Sequence, residues 1–116
     1  MRAILLPLIV ATGLAAPALA EQRIDIVQRG QYRCELPGHA GTDVAMPQPE
    51  MDFRIKSGSR YSSSQGKGVY LFQDGVMEFT SGGRKGERYA VLRQGFMRKL
   101  EPDGETGRLR CIRTQK

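Results

Sequence analysis

The sequence has little of the residues from which catalytic and metal sites are built. Histidine occurs once, as His39, and cysteine twice, as Cys34 and Cys111. A zinc site needs more nitrogen and sulfur ligands than this set supplies. The wide separation of the two cysteines also excludes a CxxC redox motif. We therefore expect a non-catalytic protein with no cofactor and no metal.

A small hydrolase is the catalytic alternative, with His39 as its base. One of the three consecutive serines at residues 62–64 would then supply the nucleophile, although no nucleophile-elbow pattern surrounds them. Glu50 and Asp52 would share one face of a strand and could touch one cation. Without the loop of a calcium site, the simpler interpretation is two solvated charges.

Long apolar runs are absent after the first twenty residues. Arg2 precedes an almost unbroken apolar stretch at residues 3–16, and Ala18-Leu19-Ala20 is followed by Glu21. This pattern predicts a signal peptide over residues 1–20, with an uncleaved anchor as the alternative, and a single domain over residues 21–116. Because Glu21 is not cysteine, we expect a periplasmic or secreted protein rather than a lipoprotein, with no transmembrane segment.

Acidic residues are scarce in the last third of the chain. Residues 84–116 carry ten basic and four acidic side chains, whereas residues 21–83 carry seven and eight. Arginine predominates in this excess, and the guanidinium group matches phosphate and carboxylate geometry. An anionic glycan, a lipid headgroup or a lipopolysaccharide phosphate would fit such a surface, whereas nucleic acid is not an expected partner outside the cytoplasm. The alternative is an ordinary solvated surface.

One loop within this region predicts an anion site. Gly82 and Gly83 would let backbone N–H groups converge on an anion, and Arg84 and Lys85 would add positive charge. The alternative is an ordinary β-turn with solvated basic residues.

Long amphipathic helices and internal repeats are also absent. Instead, short stretches in which apolar and polar residues alternate recur about every ten residues. Asp74-Gly75 and Gln94-Gly95 lie at two hairpin turns between such stretches. This pattern predicts an all-β fold, a small antiparallel β-barrel or sandwich of about seven to eight short strands. The predicted strands are residues 32–36, 51–56, 69–72, 76–80, 89–92, 96–100 and 108–111, with residues 24–28 as a further strand or short helix.

The two cysteines predict one disulfide. Cys34 and Cys111 fall on the inward faces of the first and last clearly predicted strands, and an even cysteine count in an oxidising compartment is typical of a bridge. Such a bridge would close a loop of more than seventy residues, which in the chain-entropy model contributes about 4 kcal/mol of stability.

Three short motifs resemble the periplasmic inhibitors of C-type lysozyme, the MliC/PliC family. Tyr32-Arg33-Cys34 resembles the family's opening Tyr-x-Cys, Ser57-Gly58-Ser59-Arg60-Tyr61 is similar to its Ser-Gly-Ala-Arg-Tyr signature, and Phe72-Gln73-Asp74-Gly75 lies where the family has Trp-x-Lys-Gly. The resemblance implies an antiparallel β-barrel with a pair of loops that inserts into a lysozyme cleft. Ser57 or Ser59 would be one contact, and Asp74 stands where the family has its lysine.

These observations favour a binding module for an envelope protein, of the inhibitor or adaptor type. The predicted contact residues are Ser57, Gly58, Ser59, Arg60, Tyr61, Asp74 and Gly75. The anion-binding module is the first alternative and the hydrolase the second. The sequence leaves the oligomeric state open.

Overall fold

The computed structural model describes residues 26–38 and 44–116. The predicted signal peptide at residues 1–20 and the single histidine, His39, lie outside the described residues. The predicted element at residues 24–28 lies partly outside them, and its described residues, 26–28, have no regular secondary structure.

The described part of the chain is almost entirely β-structure. It contains one short 3-10 helix, Pro49–Met51, and its strands are β1 (Gly30–Leu36), β2 (Met46–Pro47), β3 (Phe53–Lys56), β4 (Arg60–Ser63), β5 (Gly66–Gln73), β6 (Val76–Phe79), β7 (Arg88–Arg93), β8 (Phe96–Leu100) and β9 (Thr106–Gln115). Within residues 26–38 and 44–116, no helix has the length and apolar character needed to cross a membrane.

The strands form a closed antiparallel barrel. Each strand from β3 to β9 pairs with the next one along the chain, and β1 pairs with both β3 and β9, so that eight strands close into a ring. The two-residue β2 adds to the end of β1 outside this ring. The predicted fold class is therefore confirmed, and the barrel rather than the sandwich is the form that it takes.

Aromatic side chains fill the barrel. All four tyrosines of the sequence are buried, and Phe53 and Phe79 pack among them. The Tyr61 and Phe79 rings stack with centroids 3.9 Å apart, and the Tyr32 and Phe53 rings stack at 5.3 Å. An eight-stranded barrel leaves an interior just wide enough for side chains, so these rings leave little room for an internal ligand.

The predicted disulfide closes the barrel at the β1–β9 seam. Cys34 and Cys111 lie directly opposite each other in the pairing of these strands, with their Cα atoms 4.0 Å apart, and both are buried. The bridge therefore joins the first and last strands of the ring, as the inward position of both cysteines predicts.

An up-and-down barrel places alternate connections at opposite ends. We name one end the turn end, because it carries three tight turns at residues 57–59, 74–75 and 94–95, together with residues 26–29 and the end of β9. The opposite end is the loop end, and its connections are residues 37–52, 64–65, 80–87 and 101–105. This division decides which predicted site residues can act together.

Three elements were not predicted. Arg60 and Tyr61, which we expected among the contact residues of a loop, begin β4, and the Ser-rich remainder of that strand carries no apolar alternation. The other two, β2 and the 3-10 helix, lie between the predicted strands 32–36 and 51–56, except for Met51, which the pattern places in the second of these strands.

Candidate functional site

The turn between β3 and β4 presents the first predicted contact residues. Ser57 and Gly58 are exposed, and Ser59 is half-buried. Gly58 and Ser59 have left-handed backbone conformations, with φ of 72° and 57°. Tyr70 on the neighbouring β5 donates its N–H to the Ser59 carbonyl at 2.8 Å, which holds the turn against the barrel wall.

Arg60 and Tyr61, the next two predicted contacts, have different roles. The exposed Arg60 donates its Nε to the Ser57 carbonyl at 2.8 Å and a terminal nitrogen to the Ser57 hydroxyl at 3.2 Å, so it supports the turn. Tyr61 is 1% exposed and belongs to the core, so the predicted surface contact through its side chain is wrong. Its hydroxyl donates to the Ser81 carbonyl at 2.7 Å.

The turn between β5 and β6 presents the other predicted pair. Asp74 and Gly75 are exposed and have φ of 54° and 79°. Gln73 pairs with Val76 on either side of them, so this is the two-residue turn with positive φ at both positions that hairpins favour. The Gly75 carbonyl accepts the Val91 N–H at 2.8 Å, which fixes the turn to β7.

The fold brings these two predicted segments to the same end of the molecule. The β3–β4 and β5–β6 turns both lie at the turn end, each on a tight hairpin that is hydrogen-bonded to a neighbouring strand. Contact groups on short turns of a closed barrel are held in place before a partner arrives, which lowers the entropic cost of binding. Together they form a rigid, polar and exposed surface.

The predicted anion loop lies at the opposite end and is packed tightly. Gly82 has a φ of 91°, and a Cβ there would come within 2.7 Å of the Tyr61 hydroxyl and would meet the Lys67 carbonyl. A Cβ on Gly83 would meet the Gln65 carbonyl. The two glycines are therefore explained by close approach of the loop to the β4–β5 hairpin.

Arg84, the main charge of that predicted anion site, is buried and paired. Its side chain is 2% exposed, and its guanidinium group contacts Glu87, with 2.8 Å between the terminal nitrogen and Oε1. The other terminal nitrogen donates to the Met51 and Asp52 carbonyls at 2.9 and 3.2 Å. The expectation that Arg84 offers its charge to an external anion is therefore wrong, because the protein's own oxygen atoms surround it.

Aromatic groups complete the surroundings of Arg84. Its central carbon lies 5.5 Å from the ring centroids of both Phe53 and Phe79, which places the cation over the aromatic core. A terminal nitrogen of Arg84 donates to the Tyr89 hydroxyl at 2.7 Å, and that hydroxyl donates to Glu87 at 2.9 Å. Burial alone lowers the pKa of Arg84, but the hydrogen bond to Glu87 and the nearby Tyr89 outweigh it, and its pKa is raised.

Of the four residues of the predicted anion loop, Lys85 is the one with an exposed basic side chain. Arg110, another arginine of the basic last third, pairs with Glu35 across the β1–β9 seam at 2.7 Å. One charge of the sequence's C-terminal excess is thus neutralised within the fold, because the Glu35 carboxylate of β1 lies beside Arg110.

Sequence reasoning missed a second basic region, on the wall formed by β3, β4 and β5. Arg54 and Lys56 on β3, Arg60 on β4 and Lys67 on β5 are its charged side chains. The signal was present in the sequence, since residues 53–73 contain no aspartate and no glutamate. Charge totals over residues 21–83 concealed it, because acidic residues elsewhere in that segment balance these cations.

The described residues contain no group of three or more His, Cys, Asp or Glu side chains that could hold a metal ion. Glu50 and Asp52 do not share the face of a strand, because Glu50 lies exposed within the 3-10 helix and Asp52 precedes β3. Asp52 accepts the Cys34 N–H at 2.8 Å through Oδ1. This contact gives Asp52 a structural role in joining β3 to β1.

The fold and surface together define a small disulfide-closed antiparallel β-barrel with a preformed polar end. None of the protein-family models, curated proteins or solved structures compared with the chain matches it.

Proposed function

We propose that this protein is a non-catalytic binding module that acts outside the cytoplasm and holds an envelope protein at its turn end. The observation that carries the proposal is the position of the 57–59 and 74–75 turns at one end of the barrel. Two short segments separated in sequence thereby become one exposed surface, as a protein that inserts loops into a partner's cleft requires.

The resemblance to periplasmic C-type lysozyme inhibitors agrees with this arrangement. Two of the three motifs that carry it occupy these same two turns, with Ser57 in one and Asp74 in the other. A C-type lysozyme is therefore the first partner to test, with this protein as its inhibitor. Another envelope protein, for which this protein would be an adaptor, is the second.

The disulfide supports an extracytoplasmic location, because such bonds persist in oxidising compartments. With the signal peptide predicted for residues 1–20, it favours a periplasmic or secreted protein. The hydrolase alternative depends on His39, which lies outside the described residues, and stays a prediction.

The test compares turn-end variants with matched loop-end variants. The oxidised wild-type protein is assayed for inhibition of peptidoglycan hydrolysis by a C-type lysozyme, and it is immobilised to capture proteins from envelope extract. The test variant combines Ser57→Ala with Asp74→Asn, because asparagine tolerates the left-handed backbone at that position. The control combines Ser64→Ala with Asp103→Asn, which are exposed positions in loop-end connections.

We expect the turn-end variant to bind its partner at least about tenfold more weakly and the control to stay within about twofold. Both variants should unfold at the wild-type temperature. Equal affinity of the two variants would overturn the site. Failure of the wild-type protein to inhibit lysozyme and to retain any envelope protein would overturn the proposed function.

A further inference from the structure

A groove at the turn end is lined by five cationic side chains and, within the described part of the chain, by no acidic one. Its volume is about 450 Å³, and it lies between the segment preceding β1, strand β3 and the end of β9. We name it the basic groove and define it by its cations, Arg29, Arg54, Lys56, Arg113 and Lys116.

Two arginines of the basic groove are held by main-chain oxygen atoms. Arg113 donates its Nε to the Arg29 carbonyl at 2.6 Å, and Arg54 donates a terminal nitrogen to a main-chain oxygen of Lys116, the terminal residue, at 3.1 Å. The Arg29 carbonyl orients the Arg113 guanidinium group without cancelling its charge, whereas the carboxylates beside Arg84 and Arg110 neutralise those residues. Because a chain end carries a single carboxylate, the five cations of the groove keep an excess of positive charge.

The wall beside the groove adds further positive charge. Lys56 lies directly opposite Arg60 in the pairing of β3 with β4. Like charges in this position destabilise a strand pair, and a bound anion would remove that repulsion. An anionic ligand beside Lys56 and Arg60 would therefore stabilise this charge arrangement.

We propose that the basic groove binds a ligand with clustered phosphate groups, carried on a soluble molecule or on a lipid headgroup. Arginine matches phosphate oxygens in pairs, and Arg54 and Arg113 each keep terminal nitrogens beyond those used by the main-chain contacts described above. The volume is that of an ordinary small-ligand pocket, so it fits a phosphorylated group better than the flat surface of an acidic protein. This site is separate from the protein-binding role proposed above, although Ser57 borders both.

The test measures binding of two probes to the oxidised protein, by calorimetry with tripolyphosphate and by sedimentation with phosphatidylglycerol–phosphatidylcholine vesicles. Vesicles of phosphatidylcholine alone show whether the headgroup charge is needed. The groove variant combines Arg29→Gln with Lys56→Gln. The control combines Lys67→Gln with Lys85→Gln, which removes the same number of charges near the loop end.

We expect the groove variant to bind the preferred probe at least about tenfold more weakly and the control to stay within about twofold of wild type. Binding of tripolyphosphate alone assigns a soluble phosphate ligand, and binding of the charged vesicles alone assigns a headgroup; either supports the proposal. Near-ultraviolet circular dichroism checks that both variants are folded, and the single Lys56→Gln variant repeats the comparison if the double variant is not.

Three results would overturn the proposal. The first is equal weakening in both double variants, which would show that only net charge matters. The second is no binding of either probe by the wild-type protein at low salt. The third is tighter binding of poly-glutamate than of the preferred phosphate probe, which would indicate an acidic protein as the ligand. None of these measurements depends on lysozyme or on the captured envelope protein.

Discussion

Arginine side chains have different surroundings at the two ends of the barrel. At the loop end, Arg84 is buried, paired with Glu87 and covered by aromatic rings. At the turn end, Arg54 and Arg113 line a groove and are held by main-chain oxygen atoms. The same side chain is therefore part of the core where a side-chain carboxylate and aromatic rings enclose it, and it stays partly exposed on a groove wall where they do not. Charge counts in the sequence do not distinguish these cases.

The largest expected effect comes from removing the buried arginine. Arg84→Ala leaves Glu87, Tyr89 and two backbone carbonyls without their partner, and breaking a buried ion pair costs about 3–5 kcal/mol. We expect a lower urea midpoint with an unchanged slope. Lys85→Ala is the control, because its exposed side chain should contribute less than about 0.5 kcal/mol. Equal stability of the two variants would contradict a structural role for Arg84.

A pair of glycines tests whether the loop end is more tightly packed than the turn end. Gly82 and Gly75 have φ of 91° and 79°, so alanine meets similar backbone strain at both, of about 1–2 kcal/mol. A Cβ at Gly82 collides with neighbouring backbone, whereas no described atom lies within 4 Å of one at Gly75. We expect Gly82→Ala to cost about 1–3 kcal/mol more than Gly75→Ala in urea unfolding. An equal cost would mean that the loop moves aside easily.

The last expected effect is absent near neutral pH, appears only in alkaline solution and concerns a tyrosine near the turn end. Burial raises the pKa of Tyr32 from 10.0 to about 12, and its hydroxyl donates to the Gln28 carbonyl at 2.7 Å. Between these two pH values the folded chain holds a proton that the unfolded chain has lost. The stability from this group is therefore fully present below pH 10 and falls as the pH rises through about 12.

An absorbance titration of tyrosinate checks this expectation. Tyr32→Phe should remove a transition near pH 12 that the wild-type protein shows while still folded. Tyr89, buried at the other end beside Glu87, has its pKa raised further and should ionise later. A transition of Tyr32 at its ordinary pH would contradict the burial of its hydroxyl.

The sequence predicted those parts of the fold that depend on local pattern. Alternation and Asp-Gly or Gln-Gly turns located the two main hairpins, and the inward positions of Cys34 and Cys111 predicted their bridge. Strand β4 was missed, because Tyr61 is its one large apolar residue and its neighbours are arginine and serine.

The site was predicted less completely, because the missing information was long-range. Gly82, Gly83 and Arg84 match the composition of an anion loop, and only the approach of the β4–β5 hairpin and of Glu87 gives them a structural role. The basic groove combines residues from both ends of the described chain, such as Arg29 and Arg113. Their proximity follows from barrel closure, which no local pattern contains.

The seam disulfide has a consequence for proteolysis. Cys34 precedes and Cys111 follows every connection between neighbouring strands from β3 to β9. A single cleavage in any of those connections therefore yields two fragments that stay covalently joined, with the pairing of β1 to β9 intact. A nicked molecule would migrate as one species until a reductant separates it, and the cut would change chain connectivity without releasing a strand.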